Sequence, residues 1–258
     1  MKQYLRDLWH RRSLLFYLVI SGLKAEHRNT VLGYFWWLLD PLLGVVVYYF
    51  LRVVLLGAAG PDYVPFLVIG LVVFRNFSSA LNTSAKSIVR QSGIITQVYL
   101  PKAMFPFGAV LTQTINFGFS LVVVAMFLGF SRVVPGPEVL WLPLLVVVQM
   151  LFHTAIALMV ALLTVFVRDI DNVLTHIMRL MRYAAPVIWE ADRLPARLSW
   201  VVDYNPFAWI LASYRNILMY GALPDFGDLA VVSGGSLVVI VVMLALYTRY
   251  EHVIIKVL

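Results

Sequence analysis

Residues 103–131, with the sequence AMFPFGAVLTQTINFGFSLVVVAMFLGFS, contain no Asp, Glu, Lys or Arg. Residues 139–167 and residues 229–248 share this property. A helix needs about 20 mostly apolar residues to cross the hydrocarbon core of a bilayer, and each of these segments is long enough. The three segments therefore predict an integral membrane protein that crosses the bilayer as helices.

The overall composition leads to the same interpretation. Hydrophobic residues make up 62% of the 258 residues, and charged residues make up 13%. Soluble proteins use about 45–50% apolar and about 25% charged residues, so this chain has too little charge to cover itself in water. Because there is no cysteine, a disulfide scaffold, a thiolate metal site and a cysteine nucleophile are excluded. The formal charge of +7 comes from basic residues beside the apolar segments, where membrane orientation explains them better than nucleic-acid binding.

Three further segments, 31–56, 64–85 and 172–189, are apolar but carry ionisable residues. Those residues are Asp40, Arg52, Arg75, His176, Arg179 and Arg182. Together with the uncharged segments they predict an all-α integral membrane protein with about six transmembrane helices, forming a single transmembrane domain over residues 1–258.

Residues 1–30 have a different pattern, in which basic residues alternate with Leu, Trp and Phe. The apolar stretch within them is too short to cross a bilayer. A basic amphipathic helix with a Trp is typical of a helix that lies in the membrane interface, which is our prediction. The alternative is a frayed, solvated terminus.

Residues 190–228 carry apolar residues at helical spacing, interrupted by Asn205 and Pro206. This pattern predicts two short helices with a corner between them. Both are too short and too polar to form a crossing pair, so we expect a re-entrant or interfacial hairpin on the periplasmic side. Such a backbone is tolerated only against protein or a polar cavity.

The distribution of basic residues predicts the orientation. Twelve of the 20 Lys and Arg residues lie in the segments 1–30, 86–102, 168–171 and 249–258, and four lie in 57–63, 132–138 and 190–228. Loops rich in Lys and Arg remain on the cytoplasmic side. We therefore expect both termini in the cytoplasm, which requires an even number of spans.

No catalytic constellation is visible. The chain lacks a nucleotide-binding loop, a nucleophile elbow and an H-E-x-x-H helix. Asp169 and Asp171 are close in sequence but fit a short solvated turn better than a catalytic pair. Energy for any transport must come from a partner or a gradient. A secondary carrier and a membrane enzyme acting on lipid-linked sugars are two alternative classes of function. A secondary carrier usually has ionisable residues within its spans, but the three uncharged segments hold no carboxylate. The enzyme needs an acid, base or metal set, and none is visible.

Six motifs in order carry a resemblance to a known family. They are residues 23–37 (LKAEHRNTVLGYFWW) followed by Asp40-Pro41-Leu42, residues 87–95 (SIVRQSGII), residues 98–102 (VYLPK) with Pro106, residues 167–170 (VRDI), residues 186–189 (PVIW), and Asn205-Pro206. By these motifs the chain resembles, nearly end to end, the permeases of polysaccharide ABC exporters of the type-2 family, which move O-antigen, capsule and teichoic-acid polymers. A related permease for a drug or small lipid-like substrate is the alternative.

The resemblance implies a homodimer of six-span subunits, assembled with two copies of a separate ATPase that binds ATP and Mg. This chain would hold no cofactor, metal or catalytic residue of its own. Its other partners would be membrane lipid and a lipid-linked polysaccharide, with no nucleic acid. The implied location is the bacterial inner (cytoplasmic) membrane.

The resemblance also implies a coupling helix within residues 86–102 that docks on the ATPase. A short rigid helix can transmit a rigid-body shift into the spans. The alternative is an ordinary basic loop. The expected coupling residues are Lys86, Ser87, Arg90, Gln91, Ile94, Ile95, Lys102, Arg168 and Asp169.

Two groups of residues are candidates for a substrate path. Aromatic rings can support the apolar faces of sugars, and the aromatic candidates are Tyr34, Phe35, Trp36, Trp37, Phe74, Phe77, Tyr183 and Trp189. Basic residues inside spans can attract an anionic part of the substrate, and these candidates are Arg75, Arg179 and Arg182. The alternatives are an interfacial aromatic belt and arginines that reach to the membrane edge.

Overall fold

The computed structural model describes residues 2–27, 35–50, 62–95 and 100–258, and within these ranges the protein is helical and contains no strand. The helices are α1 (Lys2–His10), α2 (Arg12–His27), α3 (Trp36–Tyr49), α4 (Tyr63–Arg90), α5 (Ser92–Ile95), α6 (Met104–Phe130), α7 (Leu142–Phe166), α8 (Ile170–Ala184), α9 (Trp200–Asp203), α10 (Pro206–Arg215) and α11 (Phe226–Val257). The prediction of an all-α protein is thereby confirmed for the described residues.

Four helices in the described ranges are long and apolar enough to cross a membrane. They are α4, α6, α11, and α7 together with the 3₁₀ turn Pro137–Trp141 that precedes it. They overlap the predicted spans 64–85, 103–131, 139–167 and 229–248. The total of six spans stays a prediction, because part of 31–56 lies outside the described residues and α8 has 15 residues. At 1.5 Å per residue α8 is about 22 Å long, shorter than the hydrocarbon core of about 30 Å.

Helix α4 is the centre of the bundle. It packs against α3, α6, α7, α8 and α10, and side chains such as Leu67, Ile69 and Leu81 are completely buried. Helix α11 lies at the periphery against α7 and exposes Leu237, Val238 and Val241. A helix that is hydrophobic all round, with one side exposed, is expected where the surrounding medium is lipid.

Amide side chains connect three of the long helices inside the apolar bundle. The Asn76 Nδ2 of α4 donates to the Gln113 carbonyl oxygen of α6 at 2.7 Å, and the Gln149 side-chain amide of α7 donates to Asn76 Oδ1. Hydrogen bonds between helices in a membrane contribute on the order of 1 kcal/mol each. They also fix which faces of α4, α6 and α7 meet.

The N-terminal residues form two consecutive helices. Helix α2 packs closely on α6, since a Cβ at Gly22 would lie 3.0 Å from Thr112 Oγ1. Trp9, Phe16 and Tyr17 remain exposed. The helical form of this region agrees with the sequence interpretation, whereas its position in the membrane interface stays a prediction.

Residues 190–228 contain the predicted corner. Two 3₁₀ turns (Ala191–Arg193 and Ala196–Leu198) and α9 lead to Asn205, whose side-chain oxygen accepts a hydrogen bond from the Phe207 amide at 3.1 Å. With Pro206 as the first helical residue, this arrangement is a standard start for α10. Most of α10 is buried among the long helices. How the pair of helices sits relative to the membrane stays a prediction.

Arg215, at the end of α10, holds the chain where α8 ends. Its guanidinium donates to the Pro186 oxygen at 2.6 Å and to the Val187 oxygen at 2.9 Å, and it lies over the Phe66 ring at 3.4 Å. Gly70 makes this approach possible, because a Cβ there would overlap the Val187 carbonyl oxygen and lie 2.8 Å from Arg215 Nη2. One cation therefore joins α10, α4 and the end of α8.

A buried ion pair joins the opposite end of the bundle. Lys102, just before α6, places Nζ 2.7 Å from Glu251 Oε1 on α11, and both side chains are buried. Beside it, the Ala103 amide donates to the Tyr4 hydroxyl of α1 at 3.1 Å. We call this the Lys102 end of the bundle. The pair connects α1, α6 and α11, and Lys102 is completely buried rather than presented to a partner.

We expect Lys102→Met to lower the thermal unfolding temperature of the detergent-purified chain, because it leaves Glu251 buried without its cation. Removing one partner of a buried pair costs about 3–5 kcal/mol, whereas replacing both by apolar residues is often neutral. The double variant Lys102→Met with Glu251→Met should therefore be more stable than the single one. The exposed Lys256 supplies the control Lys256→Met. A single variant as stable as the original chain would contradict the assignment.

We expect Arg215→Lys to destabilise the protein almost as much as Arg215→Met. A lysine ammonium is a compact point charge that has no planar face to lay on the Phe66 ring while its hydrogens are directed at the two carbonyl oxygens, as a guanidinium does. Each charge-assisted hydrogen bond contributes about 1.5–3 kcal/mol. Thermal unfolding in detergent measures the loss, with Arg197→Met on an exposed residue as control. Full stability of the Lys variant would show that the two carbonyl contacts are dispensable.

Candidate functional site

A cavity of 260 Å³ lies between α3, α4 and α8. Its walls bring together three of the predicted path residues, Phe74, Arg75 and Arg182. The other lining residues are Gly44, Tyr48, Leu71, Ser78 and Ser79. Spacing in the sequence did not indicate this grouping, because Arg75 and Arg182 belong to different helices.

The two arginines set the chemistry of the cavity. The Arg182 guanidinium lies 5.3 Å from the centre of the Phe74 ring, and the Tyr48 side chain lines the same cavity. An aromatic face stabilises a cation at this distance. None of the lining residues is acidic, and two serine hydroxyls add polar atoms. A phosphate or carboxylate group suits such a wall, since guanidinium groups bind these anions with two parallel hydrogen bonds.

Arg179, the third basic candidate, does not line the cavity. It is exposed on α8, one turn before Tyr183. The structure therefore places Arg75 and Arg182 at one cavity and leaves Arg179 outside its lining, although all three fall within predicted spans.

The candidate aromatic residues divide into buried and exposed sets. Phe74 and Phe77 are buried, and the Phe77 ring stacks on Phe207 at 4.7 Å between centroids. These contacts give Phe77 packing partners rather than an open face toward a path. Phe74 is also buried but touches the cavity.

The exposed set lies at the beginning of α3, in the last turn of α8 and just beyond it. Phe35, Trp36 and Tyr183 are exposed, and the half-buried Trp189 donates from its indole nitrogen to the Tyr183 carbonyl oxygen at 2.8 Å. Trp37 belongs to α3, and Tyr34 lies outside the described residues. The exposed rings have faces available for a ligand or for lipid.

The predicted coupling segment contains the end of α4 and the single turn of α5. Arg90 and Ile94 are exposed, whereas Ile95 and Lys102 are buried. Direct contact with a partner therefore fits Arg90 and Ile94, and it does not fit Ile95 and Lys102, whose side chains are enclosed by the chain itself. Residues 96–99 lie outside the described residues.

Ser87, Arg90 and Gln91 line a cavity of 610 Å³ between α2, α4 and α6. Arg168 and Asp169 are exposed at the turn between α7 and α8. This cavity lies at the C-terminal end of α4, and this turn lies at the N-terminal end of α8. Both helix ends are at the Lys102 end of the bundle.

An ion pair connects the coupling segment to the helix that carries Arg182. Lys86 Nζ, near the end of α4, is 2.8 Å from Asp171 Oδ2 in the first turn of α8. Sequence reasoning assigned Asp171 to a solvated turn and missed this pair, because its partners lie far apart along the chain. It also treated Arg215 as one more basic loop residue. In both cases the sequence does offer a weak indication of the contact. An ionisable residue beside an apolar stretch must find a partner within the protein.

Within the described ranges no cluster of three His, Asp or Glu side chains could hold a metal ion. The site therefore offers cations and aromatic rings that can bind and release a substrate.

Comparison with known proteins gives concordant matches over most of the chain. Two proteins named "O-antigen export system permease protein RfbA" are similar to it: one from Klebsiella pneumoniae is 26% identical over 247 residues, covering 95% of both chains, and one from Myxococcus xanthus is 28% identical over 243 residues, covering 93% of both. Residues 13–219 match the family described as "ABC-2 type transporter". This chain, a helical membrane protein with several long apolar helices, is a member of the ABC-2 type transporter family.

Proposed function

We propose that this chain is the transmembrane subunit of an ATP-driven exporter that moves a lipid-linked polysaccharide of the O-antigen, capsule or teichoic-acid type across the bacterial inner membrane. The observation that carries the proposal is the similarity, over 93–95% of both chains, to permeases named for O-antigen export. The cavity with Arg75, Arg182 and Phe74 supports it, because a lipid-linked glycan offers both anionic groups and sugar rings.

The subunit works in this proposal as a homodimer with two ATPase subunits. The sequence contains no nucleotide-binding loop, so ATP and Mg belong to the partner. Helix α8 exposes Val173, Ile177 and Leu180, and α3 exposes Val46 and Val47. A second copy covering these faces would place two arginine cavities around a shared path.

The orientation follows the distribution of basic residues, with both termini and the Lys102 end in the cytoplasm. Residues 190–228 then lie on the periplasmic side as a re-entrant pair, and α1 and α2 lie along the cytoplasmic interface. Helices α3 and α8 complete the six spans of this proposal.

Movement of the ATPase can be transmitted to the cavity through α5, α4 and α8. A shift of α5 moves the end of α4, and the Lys86–Asp171 pair passes that shift to the start of α8. Helix α8 carries Arg182 three turns further along, so a rigid-body movement of α8 changes the separation of Arg182 from Arg75. The cavity can thereby alternate between holding and releasing an anionic group.

We expect Arg182→Gln to reduce polysaccharide export about tenfold, which corresponds to losing about 1.4 kcal/mol of a charge-assisted contact. Trp36→Ala should also reduce export if its exposed ring supports sugars. The measurement is surface polysaccharide in cells whose only permease is the variant, with the amount of permease in the membrane checked by immunoblot. Arg197→Gln and Trp200→Ala, on exposed residues away from the cavity, are the matched controls. Normal export by both path variants would refute the assigned path.

We expect Lys86→Asp to lower polysaccharide export and substrate-stimulated ATP hydrolysis while leaving the fold intact. The pair is partly exposed, and such pairs contribute about 0–1 kcal/mol to stability. The exchange variant, Lys86→Asp with Asp171→Lys, restores opposite charges and should recover both activities. If Lys86→Asp exports normally, or if the exchange variant does not restore activity, force does not pass through this pair.

A further inference from the structure

An apolar cavity of 420 Å³ opens between the N-terminal helices and the long helices α6, α7 and α11. Its walls are made mainly by leucine, methionine and phenylalanine side chains, and its one charged lining residue is Arg12. The volume falls within the range of about 300–1,000 Å³ that is typical of ligand sites. The cavity is separate from the one that holds Arg75 and Arg182.

The shape of this cavity follows the direction of the spans. Its lining runs from Leu237 to Leu244 on α11 and from Met150 to Leu158 on α7. At 1.5 Å per residue these stretches are about 10–12 Å long. Both helices are candidate spans, so these two stretches of the lining run in the direction that a lipid acyl chain takes in a bilayer.

A cation and an aromatic ring lie at the mouth of the cavity. The exposed Arg12 guanidinium lies 5.3 Å from the centre of the Trp9 ring, and 69% of Trp9 is exposed. Nowhere in the part of the chain that the structure describes does an acidic side chain form an ion pair with Arg12. Arg6 and Arg11 are also nearby in sequence, together with one acidic residue, Asp7, so the segment has a net positive charge. Tryptophan prefers the headgroup level of a membrane, and arginine binds phosphate.

We propose that this cavity binds an anionic phospholipid, with one acyl chain along α7 and α11 and the headgroup phosphate at Arg12. The apolar walls match the chain, and the positive mouth matches the charge of the headgroup. A side chain from a second protein copy would fill the walls without favouring one lipid headgroup over another, so a preference for an anionic lipid distinguishes the two occupants. The proposal does not depend on which substrate the transporter moves.

A lipid in this position would contact α1 and α2 on one side and the long helices α6, α7 and α11 on the other. Ala103 and Met104, which line the cavity, directly follow Lys102 and its ion pair with Glu251. Binding would therefore hold the N-terminal helices against the end of the bundle where the coupling segment lies. The amount of anionic lipid in the membrane would affect the mechanical stiffness of that end.

Native mass spectrometry of the full-length chain in mild detergent tests the proposal, with phosphatidylglycerol and phosphatidylcholine of identical acyl chains as probes. We expect the chain to retain phosphatidylglycerol preferentially. Arg12→Gln should weaken its retention about fivefold, the factor for one basic residue at an anionic surface. Leu237→Trp fills the cavity and should prevent retention of both lipids. Val238→Trp, on an exposed residue outside the lining, and Arg197→Gln are the matched controls.

Equal retention of the two lipids by the original chain would overturn the proposal. So would unchanged retention of phosphatidylglycerol by Arg12→Gln, whose exposed side chain can be replaced without loss of folding. Displacement of phosphatidylglycerol by an equimolar polyprenyl diphosphate would also overturn it, because the cavity would then serve the lipid carrier of a substrate. Thermal unfolding confirms that each variant is folded before its lipids are counted.

Discussion

The structure depends on one constraint: a polar group inside an apolar bundle must find its partner within the protein. Arg215 satisfies the carbonyl oxygens of Pro186 and Val187, and Lys102 neutralises Glu251. Asn76 connects Gln113 and Gln149 midway between these two ends. Because each contact joins different helices, the few polar residues determine how the apolar helices are arranged, while apolar packing alone would allow several arrangements.

Helix α4 connects every part of the protein that we associate with transport. It carries Arg75 and Phe74 at the cavity, Gly70 at the contact with Arg215, and Lys86 at the ion pair with α8. A helix buried on most sides moves as a rigid body, since its neighbours leave no room for local bending. In the proposed function, a push at its C-terminal end would reach Arg75 along α4 itself and Arg182 through the Lys86–Asp171 pair.

The sequence was sufficient to predict the helices whose formation depends on local composition. The uncharged segments 103–131 and 139–167 became long helices, and Asn205-Pro206 became the corner before α10. It was insufficient where a role depends on a distant partner. Lys102 was predicted as a coupling residue, yet its side chain is buried against Glu251, which follows far along the chain. Phe77 looked like a candidate ring for a path, yet Phe207 covers it. The grouping of Arg75 with Arg182 likewise arises from packing rather than spacing.

The short length of α8 has a consequence for the surrounding bilayer. In the proposed arrangement α8 crosses the membrane with 15 residues, several ångströms shorter than the hydrocarbon layer, and such hydrophobic mismatch is relieved by local thinning of the membrane. Beside α8 the two leaflets would approach each other, which shortens the distance over which a polar headgroup loses its hydration. The same helix that carries Arg182 would thus lower the electrostatic barrier to crossing by deforming the lipid as well as by binding charge.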